Sequence, residues 1–325
     1  AGRSLPLRLE GERDAAGTSR VLELRQARQS FRFHGIETAP VVSINRGFTA
    51  PIKLAGEPDD ETAALLMGHD GDPFNRWEAG QRFALRLLLD RAAAYREEAP
   101  EPEAAAFIEA FGRGLADEDL DDAFRAELLA LPAEDYLAEQ MAVIDVEAAH
   151  EARVGLRRAI AIGLREPLLA TYRAKQSNAP YSPDAASAGR RALKNRALAY
   201  LMALETPEML DLAMAQYRGA DNMTDRMAAL ALLGDLDTPA RAEALEDFHQ
   251  RYRDDALVLD KWFQVQATST LPGTLACVQA LTAHPAFSLA NPNRVRALIG
   301  AFAQANPLRF HGVDGAGYAF IADQV

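Results

Sequence analysis

The sequence predicts a mainly α protein: an irregular α-helical superhelix, an array of antiparallel helix pairs, preceded by a small β-sandwich. Three observations predict it. Residues 1–54 of the 325 carry short β-patterned runs, the remainder carries amphipathic stretches of helical length, and cap-plus-proline dipeptides recur between those stretches.

In residues 1–54, "LPLRLE", "VLELRQ", "SFRFHG", "VVSINR" and "FTAPIKL" alternate or are rich in β-branched residues, so about five short strands are expected. Phe31 and Phe33 share one face of a strand and Arg32 the other. "ERDAAGTSR" and "HGIETAP" supply turns. This segment is read as an incomplete, Ig-like sandwich. A sheet this small is marginal alone and is expected to lean on a neighbour.

Residues 55–325 are read as the helical domain, incomplete at its C-terminal end. "EPDDETAALLMGH", from Glu57, opens with acids and a proline, as helix starts do. Asp72-Pro73 caps the next helix, which runs to about Tyr95 and gathers Trp77, Ala84, Leu87 and Leu88 on one side. Ser182-Pro183, Thr206-Pro207, Thr238-Pro239, Asn291-Pro292 and Asn306-Pro307 repeat the signal. About a dozen helices with short connections follow from this spacing. Short-looped helices pair antiparallel and a series of pairs curls into a solenoid. There is no strict tetratricopeptide or ankyrin period, so the array is closer to the HEAT type.

The charge balance is uneven. Residues 1–54 carry +4 and the remainder −16, which sum to the net −12. An acidic surface repels nucleic acid and keeps the chain soluble, so no nucleic-acid partner is expected. The single cysteine, Cys277, cannot form an internal disulfide; it lies in the apolar "TLACVQAL" and reads as a small core residue. No apolar run of membrane-spanning length occurs and no secretory leader pattern is seen, so no membrane partner is expected.

Candidate chemistry is sparse. The lone His-Glu dipeptide, His150-Glu151, has Val154 where a zinc helix needs its second histidine. His34, His69, His249, His284 and His311 are scattered singly. No nucleophile elbow, P-loop or dinucleotide fingerprint occurs, and "GVDGAGYAF" reads as a turn between helices. "DEDLDD", Asp117 to Asp122, lacks the glycine and closing glutamate of a calcium loop and reads as a solvated helix start. No catalytic or metal residue is therefore assigned. The stretch "NPNRVRALIGAFAQANPLRFHGVDGAGYAF" is cap, helix, cap and turn, with Val295, Leu298, Ile299 and Phe302 as its apolar stripe. Arg294 and Arg296 lie off that stripe and are the candidate binders of a carboxylate or phosphate.

That same stretch, with "DNMTDRMAAL", "VLDKWFQVQATS", "RGFTAPIKL" and "FNRWEAGQ", closely resembles bacterial aminopeptidase N, the zinc exopeptidases of the gluzincin class. The words occur in family order across nearly the whole chain. The resemblance implies the last two of four domains: the small β-sandwich and the large helical bowl. The family's H-E-x-x-H zinc motif and G-A-M-E-N anchoring motif are absent here, so zinc and the catalytic groups are expected in a separate catalytic domain of the same polypeptide. The implied role is to enclose the chamber where peptides lose their N-terminal residues. In such a chamber Arg294 and Arg296, by their place off the apolar stripe of a capped helix, are the residues expected to face a peptide carboxylate. This chain alone is expected to be inactive. The bacterial cytoplasm is the expected compartment. The alternative is a free-standing helical-repeat scaffold for protein interactions.

Overall fold

In the computed structural model, residues 2–52, 54–56 and 58–324 are described. Lys53 of the "FTAPIKL" run and Glu57 at the head of "EPDDETAALLMGH" lie outside the described residues, as do Ala1 and Val325.

The N-terminal segment is less regular than its β pattern predicts. Arg8–Leu9 (β1) and Phe33–His34 (β2) pair antiparallel, with Arg8 opposite His34 and Leu9 opposite Phe33. Phe31 and Phe33 are half-buried and Arg32 is exposed, in keeping with the strand alternation. The "VLELRQ" and "VVSINR" runs form no strand among the described residues. Their apolar side chains stand in solvent, Val21 at 90 % and Val42 at 64 % exposure. A ladder persists where its apolar face is covered, and nothing among the described residues covers these.

Helices account for the rest, most of them amphipathic. They are α1 (Asp60–His69), α2 (Pro73–Arg96), α3 (Ala105–Ala116), α4 (Asp122–Leu128), α5 (Glu134–Glu139), α6 (Val146–Gly163), α7 (Arg165–Ala174) and α8 (Ala185–Met202). Then come α9 (Pro207–Gly219), α10 (Met223–Gly234), α11 (Pro239–Tyr252), α12 (Ala256–Ala267) and α13 (Thr274–Thr282). The last are α14 (Pro292–Val295), α15 (Ala301–Ala305), α16 (Pro307–Phe310) and α17 (Ala316–Ala322). The side chains of Asp72, Thr206, Thr238, Asn291 and Asn306 each accept from a first-turn N–H, as the cap-proline pattern predicts. The helix expected from Ser182-Pro183 is instead capped by Asp184, whose carboxylate accepts from Ser187 at 2.9 Å. Ser182 Oγ accepts from Asp184 N–H at 3.5 Å, ahead of the helix, and the Asp184 carboxylate, an equally good cap, adds its charge at the helix N-terminus.

The helices pack in two styles. From α9 to α11 each rests chiefly on its sequence neighbours, the ladder of a solenoid, whereas α12 packs most closely on residues Arg296–Gly300. Before that the packing skips along the chain: α2 meets α6, α4 meets α8, and α3 meets α7. An aromatic file marks this part of the core, with Phe83–Phe107 centroids 5.3 Å apart, Phe107–Phe111 5.9 Å and Phe111–Tyr200 5.2 Å. Phe107 and Phe111 are almost wholly buried; each such side chain stabilises the fold by roughly 2–3 kcal/mol.

The N-terminal segment leans on the α1–α2 corner, as its size requires. Arg46 donates to the buried Asp70 at 2.6 Å, and Gly47 N–H to Asp72 Oδ2 at 2.8 Å. Asp72 also caps α2 through its other oxygen, so one carboxylate serves both sides of the joint. Asn75 donates to Ser43 Oγ and the Ile44 carbonyl, both at 2.8 Å, and Phe48 packs on Phe74 at 4.9 Å. Gly47 sits at φ 64°, a left-handed conformation that suits glycine, and flanks the turn that brings the segment back onto α2.

Candidate functional site

The capped stretch from Asn291 builds the last wall of the array. Asn291 Oδ1 accepts from Asn293 N–H at 3.0 Å, and Pro292 starts α14 without needing a donor. Between α14 and α15, residues Arg296–Gly300 form a π-helical turn in which Ala301 N–H donates to the Arg296 carbonyl. Such turns insert one residue into a helix and re-aim the side chains around it. The predicted stripe is observed: Leu298 and Phe302 are fully buried and Ile299 is 7 % exposed.

The two candidate arginines part company here. Arg294 is 5 % exposed. Its Nε donates to the Ala286 carbonyl and its Nη1 to the Ala256 carbonyl, both at 3.0 Å, and Nη1 also meets Asp260. The guanidinium lies over the Phe263 ring, 5.3 Å from the centroid. Arg294 therefore braces α14 against α12 and does not present an open binding group. The sequence pattern missed this because a residue off the apolar stripe still meets a neighbour where α12 crosses. Arg296, two residues on, is exposed and has no acceptor among the described residues. Of the pair, only Arg296 presents an exposed guanidinium.

The second cap is equally structural. Asn306 is 3 % exposed; it donates to the Ala267 and Ser269 carbonyls at 3.0 and 2.8 Å and caps α16. Arg309 Nε reaches the Thr270 carbonyl at 2.5 Å. A Cβ on Gly317 would lie 2.2 Å from the Phe310 carbonyl oxygen, so the glycine of "GAGYAF" is required by close backbone approach.

The remaining singled-out residues are engaged within the fold. His150 Nδ1 lies 3.1 Å from Glu134, and His311 Nδ1 lies 2.6 Å from the Tyr318 hydroxyl. His284 Nδ1 accepts from Ala286 N–H at 3.2 Å and its ring packs on Trp262 and His249. Burial, then His249 and Arg294, push its pKa below the ordinary imidazole value. Cys277 is half-buried against the core, and burial pushes its thiol up. In "DEDLDD", Asp121 caps α4, Asp117 pairs with Arg76 at 2.7 Å and Asp122 with Lys175 at 2.8 Å. Among the described residues, no group of three or more His, Cys, Asp or Glu side chains is placed to hold a metal ion. No helix among them is long and apolar enough to cross a membrane.

"DNMTDRM" owes its residues to a buried polar network. Asp225, 5 % exposed, accepts from Lys194 Nζ at 2.7 Å, Asn195 at 3.0 Å and Asn222 at 3.1 Å. Asn222 Oδ1 in return accepts from Asp225 N–H, and Gln216 ties the network to α9. Sequence reasoning registered the word but not the network, whose partners lie about thirty residues apart.

Fold and site together define a helical-repeat wall with a short β segment docked at one corner. The comparisons make the class specific. Residues 60–325 match the domain of unknown function DUF3458_C, described as ARM repeats, and residues 3–57 match the domain of unknown function DUF3458, described as an Ig-like fold. The chain belongs to the DUF3458_C family. It is 43% identical to aminopeptidase N of Caulobacter vibrioides over 305 residues, 94% of this chain and 35% of that protein. It is 35% identical to aminopeptidase N of Escherichia coli over 324 residues, 100% of this chain and 37% of that protein. The crystal structure of Legionella pneumophila aminopeptidase A in complex with aspartic acid matches with a TM-score of 0.78 at 29% identity, covering 89% of this chain and 34% of that one. The chain thus spans about a third of the length of these relatives. The resemblance carried by its sequence words, to the C-terminal portion of an aminopeptidase N-like protein, is shown.

Proposed function

We propose that this chain is the non-catalytic, C-terminal wall of an aminopeptidase N-like zinc metallopeptidase that removes N-terminal amino acids from peptides. The observation that carries the reading is the 43% identity to an aminopeptidase N over 94% of this chain, against 35% of that relative's length. Zinc does not fit the donor set here: His150 faces Glu134, and Val154 occupies the position where a second histidine would complete the pair. The metal, the hydrolytic water and the catalytic acid–base groups are assigned to the catalytic domain of the same polypeptide. The compartment proposed is the bacterial cytoplasm.

In this reading the helical array limits which peptides reach the metal, and Arg296 meets the peptide's carboxylate. Its support is an exposed guanidinium without an acceptor, held at a π-turn whose flanking stripe is buried. The docking partner is the catalytic domain, which would cover the apolar side chains exposed around Val21, Leu24, Val42 and Ile44.

Charge reversal decides the Arg296 role. In the intact enzyme, Arg296→Glu is expected to raise KM for tripeptides with a free carboxylate and to leave KM for amino-acid anilides unchanged; equal KM for both substrates in mutant and wild type rejects it. Assay of the 325-residue chain alone with added zinc is expected to show no anilide hydrolysis. Turnover at a stoichiometric zinc load would overturn the non-catalytic assignment.

A further inference from the structure

One face of α6 carries His150, Arg153 and Arg157, spaced i, i+3 and i+7. The facing side of α8 carries Arg196 and Tyr200, one turn apart. Both faces grip the end of α4 and the segment that leaves it. Arg196 Nε donates to the Ala126 carbonyl at 3.1 Å, the Tyr200 hydroxyl to the Leu129 carbonyl at 2.7 Å, and Arg153 Nε to the Pro132 carbonyl at 2.9 Å. These anchors use the Nε of Arg153 and Arg196. Their Nη groups have no hydrogen-bond acceptor among the described residues, and Arg157 has none at all.

The neighbouring carboxylate does not neutralise the cluster. Glu134 lies 3.1 Å from His150 and 4.0 Å from Arg153, too far to accept from that guanidinium. Three arginines against one carboxylate leave an excess of two positive charges in a chain of net charge −12. Arg153 is 22% exposed, so the field of the cluster is weakly screened while a small ligand still has access. Burial first, and then the closeness of Arg157, push the pKa of Arg153 down; crowding of like charge is the state that a bound anion relieves.

We propose that Arg153, Arg157 and Arg196 form a binding site for a small dianionic oxyanion of the phosphate class, where α6 meets α8. Guanidinium forks match the paired oxygens of such an anion, and three of them surround a tetrahedral group better than a planar monoanion. The site does not include Arg296 and does not depend on the peptidase reading.

The test is calorimetric titration of the 325-residue chain at constant ionic strength with inorganic phosphate, phenyl phosphate and acetate. Saturable one-site binding of phosphate is expected, with acetate at least about tenfold weaker. Arg157→Gln is expected to weaken phosphate roughly tenfold or more without lowering the melting temperature, because Arg157 has no protein acceptor to lose. Glu134→Gln is expected to tighten it. Stronger binding of phenyl phosphate than of phosphate identifies a phosphate monoester as the ligand, and the reverse order identifies the free ion. No saturable binding of either, unchanged affinity in Arg157→Gln, or acetate binding as tightly as phosphate each overturns the proposal.

Discussion

Replacing Arg294 by methionine separates a brace from a binder. The thioether keeps much of the stem's volume, so the loss is confined to the guanidinium. The half-exposed carbonyls of Ala256 and Ala286 lose their charged donor, at about 1 kcal/mol each. Asp260, 21% exposed, loses its cation, about 1 kcal/mol more after solvent screening. The stacking over Phe263 adds about 0.5 kcal/mol. The sum is about 3–4 kcal/mol, a fall in Tm of roughly 6 °C at the shallow slope of a long chain. Differential scanning calorimetry of Arg294→Met beside Arg296→Ala reads it. The exposed Arg296 should leave Tm unchanged. Equal melting of both variants, or a loss confined to Arg296→Ala, would refute the assignment of Arg294 to the interhelix interior.

Two further outcomes follow from buried charge. Asp225→Asn leaves Lys194 uncompensated inside the fold; urea titration should show a loss of about 3–5 kcal/mol, partly recovered when Lys194→Met is added. A single-variant loss under about 1 kcal/mol would show that the pair is solvated. His284 sets a pH dependence: its pKa is depressed by burial and by His249 and Arg294, and its Nδ1 must stay unprotonated to accept from Ala286. The unfolded chain therefore takes up the proton first. Stability is full above the ordinary imidazole pKa of about 6.5 and falls as pH drops through and below it. His284→Asn should flatten the Tm-against-pH curve between about pH 7 and 5, and an unaltered slope would exclude His284 as its source.

The sequence alone determined the helical array, its punctuation and its family. Those signals are local: a cap side chain reaches its own first turn, and an apolar stripe repeats within one helix, so Thr206-Pro207, Asn291-Pro292 and the Val295–Phe302 stripe were legible residue by residue. The Ig-like character of the first segment was legible, but its strands were over-counted because a strand depends on what covers it, and Val21, Leu24 and Val42 stand uncovered here. Tertiary structure decided everything that depends on chain crossings. It turned Arg294 inward onto Ala256 and Asp260, left Arg296 in solvent, tied Asp225 to Lys194, and brought Arg196 of α8 beside Arg153 and Arg157 of α6. A guanidinium has the same pattern in sequence whether it braces or binds; the difference is whether a carbonyl from another helix stands within about 3 Å of it, which only the packing of distant segments sets.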